Sequence, residues 1–198
     1  MNLPNKLTIL RVILVPVFMF FICFPGKDPG VVWYLLAAAS FGLAAITDFF
    51  DGKIARKYNL ITDFGKFLDP LADKFMIMAA VLCFCSAEAY REPAALHTAL
   101  IICGAIVILR ELAVTSLRLV VSTADKPVVI AASWYGKAKT MTQCIWVVVM
   151  LIEPILPVEF FAQNRPLSWV LLIAMTVLTI FSGADYMKKY WPYLDPTK

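Results

Sequence analysis

Six stretches of this chain, near residues 7–24, 31–51, 67–87, 95–120, 141–162 and 167–187, stay apolar over roughly the 20 residues that a helix needs to cross a bilayer. Nothing else in the sequence limits the fold so sharply. A backbone in hydrocarbon must satisfy its own polar groups, so these runs predict an all-α integral membrane protein with six transmembrane helices. Hydrophobic residues fill 61% of the 198 positions and charged residues 16%, a balance that excludes an ordinary soluble domain. The connections are short and punctuated by Pro and Gly in FPGKDPG, REP and NRP, so residues 1–198 are expected to form a single membrane domain.

Charge sets the expected orientation. With the N-terminus inside, Lys6, Arg11, Lys53, Arg56, Lys57, Lys66, Arg110, Arg118, Lys126, Lys137, Lys139, Lys188, Lys189 and Lys198 fall at or near the inner face. Only Lys27, Arg91 and Arg165 then fall outside. Both termini are therefore expected to be cytoplasmic, which an even number of spans allows. The first run is long and no small-residue cleavage site follows it, so it is expected to remain as a span. The net charge of +4 requires no nucleic acid partner. Cys23, Cys83, Cys85, Cys103 and Cys144 lie inside apolar runs without C-x-x-C spacing and read as packing residues. His97, the one histidine, stands at the outer start of the fourth helix and reads as an interfacial group.

The segment TDFFDGKIARKYNLITDFGKFLDPLADK, residues 47–74, holds five aspartates between apolar runs. A carboxylate within a membrane helix costs about 2.5 to 3.5 kcal/mol on insertion scales, so such residues need compensation. Asp48 and Asp51 are three apart and Asp69 and Asp73 four apart, so each pair shares one helical face. The short link with Arg56, Lys57, Asn59 and Gly65 makes the two helices antiparallel neighbours, and the pairs converge. Four carboxylates match two divalent cations through hard oxygen ligands. Helix capping, or pairing with Lys53, Arg56, Lys66 and Lys74, is the simpler alternative. It does not require two same-face pairs flanked by Gly52 and Gly65, where a ligand can approach the backbone closely. Asp63 reads as a cap or a loop acid.

Written as Asp48-x-x-Asp51-Gly52-x-x-Ala55-Arg56, eight residues, then Gly65-x-x-x-Asp69-x-x-x-Asp73, the segment resembles at every fixed position the signature of the CDP-alcohol phosphatidyltransferases. The resemblance implies a six-helix membrane enzyme whose site opens to the cytoplasm. In such an enzyme an alcohol attacks the lipid-bearing phosphorus of a CDP-linked lipid, and CMP leaves. It further implies two Mg2+ or Mn2+ ions, with Asp48, Asp51 and Asp69 as ligands and Asp73 both completing the metal site and acting as general base. Gly52, Ala55, Arg56, Thr62 and Gly65 match positions that hold the cytidine and diphosphate. The N-terminal LPNKLT resembles a segment that closes over the nucleotide, which adds Pro4, Asn5 and Thr8. A homodimer in the cell membrane is likewise implied.

The acceptor is read from the remaining charges. ILRELAVTSLR puts Arg110, Glu111 and Arg118 on one face of the fourth helix. GKAKTMTQ brings Lys137, Lys139 and Thr140 to the start of the fifth, and Arg11 sits near the start of the first. Snorkelling to the interface accounts for Lys188 and Lys189, but less well for Arg110 beside Glu111. Cations facing a site point to an anionic group, and arginine matches phosphate geometrically. Arg11, Arg110, Arg118, Lys137, Lys139 and Thr140 are therefore expected to hold a phosphorylated acceptor. The likeness extends through NLPNKLTILR, LRELAVTSLR, GKAKTMTQ and SGADY, and it implies CDP-diacylglycerol as donor and sn-glycerol 3-phosphate as acceptor. Cardiolipin and inositol phosphate lipid synthases of the family share parts of this pattern, which leaves other acceptors open. From a different class, a divalent cation transporter would also carry intramembrane acids, but it would leave Gly52, Ala55 and Arg56 idle.

Overall fold

The computed structural model describes residues 2–58, 62–122 and 134–191; for Pro4, residues 49–58, Asp63, Lys66 and Ser122 it describes the backbone alone. The chain forms helices α1 (Leu3–Cys23), α2 (Val31–Tyr58), α3 (Asp63–Ser86), α4 (Ala94–Ser122), α5 (Trp134–Ile152), the short α6 (Glu159–Asn164) and α7 (Pro166–Tyr190). Among the described residues there is no strand.

Local chemistry explains where the helices begin. Asn2 caps α1, its side chain accepting from the Asn5 N–H at 3.3 Å. Thr62 caps α3 in the same way, accepting from the Gly65 N–H at 3.0 Å. Pro166 opens α7 at a position where its missing N–H costs nothing. The fifth apolar run is displaced from its expected bounds of 141–162. Its helix starts earlier, at Trp134, and ends at Ile152, where Pro154 lies in a 3-10 turn over Glu153–Ile155.

Among the described residues five segments are long and apolar enough to cross a membrane: Asn5–Cys23, Val31–Asp48, Ala94–Val121, Trp134–Ile155 and Glu159–Tyr190. α3 has the length, at 24 residues, but Asp69, Asp73 and Lys74 interrupt its hydropathy. The surface is built for lipid. Leu109, Leu119, Val170 and Phe181 are 69%, 66%, 64% and 62% exposed, whereas Arg11, Glu111, Lys139, Gln143, Thr179 and Ser182 are buried.

α1 packs on α2 and α3, α7 packs on α5 and α4, and α2 meets α5 to join the two sets. At their junction lies an aromatic core. The Phe18 and Phe41 ring centroids are 5.6 Å apart, Phe84 and Tyr90 4.7 Å, and Phe84 and Trp146 5.5 Å. Glu153, buried at the start of its turn, accepts from the N–H groups of Leu167 and Ser168 at 2.8 Å each, so its charge sits on the N-terminus of α7. The helix packing puts the middle of α2 at Ala45 and Asp48, the middle of α3 at Asp73 and Lys74, the later half of α4, the first half of α5 and the end of α7 around one cavity. The opposite helix ends surround another.

Candidate active site

Three of the four signature aspartates have described side chains, and α1 ties two of them together. Thr8 and Arg11, three apart on α1, reach different helices: the Thr8 hydroxyl donates to Asp69 Oδ1 at 2.8 Å, and Arg11 Nη1 lies 2.7 Å from Asp48 Oδ1. Arg11 is fully buried. A guanidinium so deeply buried needs a counter-ion, and Asp48 supplies one beside the acid cluster. Asp48 and Asp73 then turn to a common cavity.

The nucleotide candidates gather at the start of α3. Asn5 Nδ2 donates to Thr62 Oγ1 at 3.0 Å, and a Cβ added at Gly65 would stand 3.0 Å from Asn5 Oδ1 and 3.2 Å from Thr62 Oγ1. Any larger residue at 65 would push this cap apart. Thr8 is drawn to Asp69, so its hydroxyl serves the acid cluster as well. The side chains of Pro4, Asp51, Gly52, Ala55 and Arg56 lie outside the described residues, as does that of Asp63.

A cavity of about 520 Å³ runs from Asp48 and Asp73 to the polar residues of α4, α5 and α7. Five cationic side chains line it, Lys74, Arg110, Arg118, Lys137 and Lys139, against three carboxylates, Asp48, Asp73 and Glu111. The excess is positive, so the cavity favours an anion. Thr140 also lines it, although its hydroxyl proton is directed to the Gly136 carbonyl at 3.1 Å, which leaves the oxygen as an acceptor. Lys139 is buried and its ammonium bonds to Glu111, which also stands 3.5 Å from Arg110 Nη1. Glu111 thus offsets the cationic wall.

The sequence motifs did not single out two groups that contact this wall's arginines. Ser182 Oγ accepts from Arg110 Nη2 at 2.5 Å, and the Tyr186 hydroxyl accepts from Arg118 Nη2 at 2.9 Å. Both belong to α7, whose SGADY stretch carried the signal only as part of the general likeness. His97 Nε2 lies 3.0 Å from the Cys85 carbonyl, and the five cysteines are free thiols.

The acid donor set suits a hard divalent cation. Asp48, Asp69 and Asp73 offer only oxygen ligands, and Arg11 alone among the described side chains contacts one of them with positive charge. Among the described residues no three such groups stand close enough to one another to hold an ion, and Asp51 lies beyond that set.

An all-helical bundle that brings Asp48 of one signature pair and Asp73 of the other to one cavity with two arginines suits a transferase acting on a charged substrate. The profile described as CDP-alcohol phosphatidyltransferase matches residues 1–181, and the chain belongs to that family. It is 38% identical, over 98% of its length and 97% of the relative's, to the CDP-diacylglycerol–glycerol-3-phosphate 3-phosphatidyltransferase of Bacillus subtilis (strain 168). A Yersinia pestis (strain Pestoides F) protein of the same name is 36% identical over 96% of each chain. A Mycobacterium tuberculosis (strain ATCC 25618 / H37Rv) protein named "Probable phosphatidylglycerophosphate synthase" is 36% identical over 95% of this chain and 81% of its own.

Proposed function

We infer that this enzyme transfers the phosphatidyl group of CDP-diacylglycerol to sn-glycerol 3-phosphate, forming phosphatidylglycerophosphate and releasing CMP. The observation that carries the acceptor is the cavity itself, which Asp48 and Asp73 line together with an excess of cationic side chains. A small phosphorylated alcohol suits both kinds of group: its hydroxyl meets the carboxylates and its phosphate meets the arginines. The relatives' names agree with that substrate pair.

The reaction makes one phosphorus–oxygen bond, from the acceptor hydroxyl to the lipid-bearing phosphorus, and breaks the one to CMP. Asp73 takes the proton from that hydroxyl on its carboxylate. Asp48, Asp51, Asp69 and Asp73 hold the divalent cations, Mg2+ or Mn2+, which supply charge stabilisation to the diphosphate when bound. Asn5, Thr62 and Gly65, with Pro4, Thr8, Gly52, Ala55 and Arg56, hold the CDP group. Arg110, Arg118 and Lys137 bind the acceptor phosphate, with Lys139 and Thr140 beside them. Phosphoryl transfer is mostly positioning and charge stabilisation, which is what fixed helices provide.

α3 completes a set of six spans around the reacting end, so that both termini face the cytoplasm and the protein sits in the cell membrane as one domain. The distribution of lysine and arginine supports this orientation, and the enzyme works as a homodimer. The purified protein should release CMP from CDP-diacylglycerol only with added Mg2+ or Mn2+ and a phosphorylated alcohol. A panel of sn-glycerol 3-phosphate, glycerol, inositol phosphate and phosphatidylglycerol decides the acceptor, and equal rates with glycerol and its phosphate would discard this reading.

A further inference from the structure

The two arginines of the cationic wall are held by a third helix. Arg110 and Arg118 are eight residues apart on α4, so nothing in α4 itself brings their guanidinium groups together. Tyr186 does. Its ring centroid is 5.6 Å from Arg110 Cζ and 5.4 Å from Arg118 Cζ, and its hydroxyl accepts from Arg118 Nη2 at 2.9 Å. One turn earlier on α7, Ser182 accepts from Arg110 Nη2 at 2.5 Å. Between them, Gly183 leaves room for the arginine stem, since a Cβ there would stand 3.2 Å from Arg110 Cγ. Tyr186 is 3% exposed and borders the same cavity as Asp73.

Two like charges on long side chains repel, and each would otherwise follow its own path to the interface. The electron-rich face of an aromatic ring attracts a guanidinium. A ring shared by two guanidinium groups lowers their mutual repulsion and fixes their rotamers before a ligand arrives. An arginine lying over a ring also keeps its N–H edge for an oxyanion, the geometry that suits phosphate. Such prior ordering strengthens binding by reducing what the ligand must organise.

We propose that Tyr186 is a positioning residue for the acceptor phosphate: by seating Arg110 and Arg118 on one ring, with Ser182 fixing the first, α7 sets the preference for a phosphorylated over a neutral alcohol. This rests on the phosphorylated-acceptor reading above. Tyr186 itself does not touch the reacting atoms. Its influence passes through the arginines, so it falls on acceptor affinity rather than on the chemical step.

Steady-state kinetics of the full chain in detergent, with each substrate varied separately, test this in Tyr186→Phe, Tyr186→Leu and Ser182→Ala. Tyr186→Phe keeps the ring and loses the hydroxyl contact, so the KM for sn-glycerol 3-phosphate should rise about 10-fold, the scale of one hydrogen bond to a charged group. Tyr186→Leu also loses the ring and should raise it on the order of 100-fold. In both, kcat and the CDP-diacylglycerol KM stay at the wild-type level, and the preference for glycerol phosphate over glycerol falls by the same factor as affinity. A general packing role would instead raise both KM values together or follow the loss of thermal stability, and that result overturns the proposal. If Tyr186→Leu does not fold, Tyr186→Phe and Ser182→Ala decide, and an unchanged acceptor KM in both is fatal. Wild-type controls separate the two readings. A wild type indifferent to the acceptor's phosphate removes the underlying function, whereas a wild type that needs the phosphate, with variants that bind it normally, removes only the role of Tyr186.

Discussion

The cavity lined by Lys27, Asp28, Tyr34, Glu88, Arg91, Glu92 and Arg165, at about 740 Å³, is larger than the one of about 520 Å³ between Asp73 and Arg118, yet the family signature points to the smaller. Charge accounts for the difference. Three cations face three carboxylates in the larger cavity, and its most buried cation, Arg165, donates to the Ala89 carbonyl at 2.9 Å and lies 4.9 Å from the centroid of the Tyr90 ring, though its Nε and Nη1 have no hydrogen-bond partner among the described residues. In the smaller cavity five cations exceed three carboxylates, two of which are signature aspartates. Volume measures how loosely helix ends meet, whereas an unequal balance of charge marks a place prepared for a charged substrate.

Substitution of the acids should break this contrast most completely. Asp69→Asn removes a carboxylate from the cluster, and CMP release should fall to background even in excess Mg2+, while the protein still inserts and purifies. Retained activity in Asp69→Asn would separate the acids from catalysis. A chelator added to the wild type should give the same loss, reversed by restoring the metal.

Next in size is the balancing charge of the cationic wall. Glu111→Gln leaves Lys139 buried without its partner, a change that costs roughly 3 to 5 kcal/mol where the pair is enclosed. A thermal unfolding scan in detergent should show a large drop for Glu111→Gln and little for Lys137→Gln. Equal shifts would mean that Glu111 and Lys139 do not compensate each other.

Smaller and more selective is Arg118→Lys. It keeps the charge and loses the planar fork, so the acceptor KM should rise about 10- to 100-fold, equivalent to about 1.5 to 3 kcal/mol. The donor KM should not move. Least of all should be felt at the other cavity, where Glu88→Gln or Arg91→Ala changes exposed groups whose loss is usually within about 0.5 kcal/mol of stability. Both variants should keep wild-type kcat and both KM values. A loss of turnover in either would give the larger cavity a part in the reaction and end the comparison drawn above.

The same two regions differ in how far the sequence reveals them. The acids are legible because Asp48 and Asp51, then Asp69 and Asp73, repeat at helical spacing within one short stretch of sequence and stand out against apolar surroundings, although α1 rather than direct α2–α3 packing joins their helices. The cationic wall is harder, because it is assembled from α4, α5 and α7 at long range. Its arginines are visible as charges, but the pairing of Lys139 with Glu111 spans 28 positions, and the Ser182 contact spans 72. Ser182 and Tyr186 look like interior filler on an apolar helix until α4 is laid beside them. Helix extent was legible where hydropathy alone decides. It was shifted at α5, where the polar start from Trp134 is still helical and Pro154 stops the run. The charge of Arg11 was visible in the sequence, whereas its depth and its contact with Asp48 appear only in the fold.

The Arg11 to Asp48 contact, at 2.7 Å, has a consequence for how the chain enters the membrane. Each of the first two helices carries an ion within its apolar run, and on its own each would bring that ion into lipid at a cost of about 2.5 to 3.5 kcal/mol. Side by side they present a neutral pair. The favourable unit for insertion is therefore the α1–α2 hairpin rather than either helix, and the same ion pair that orders the acid cluster in the finished enzyme gives the newly made chain a reason to hold its first helix until the second has followed it from the ribosome.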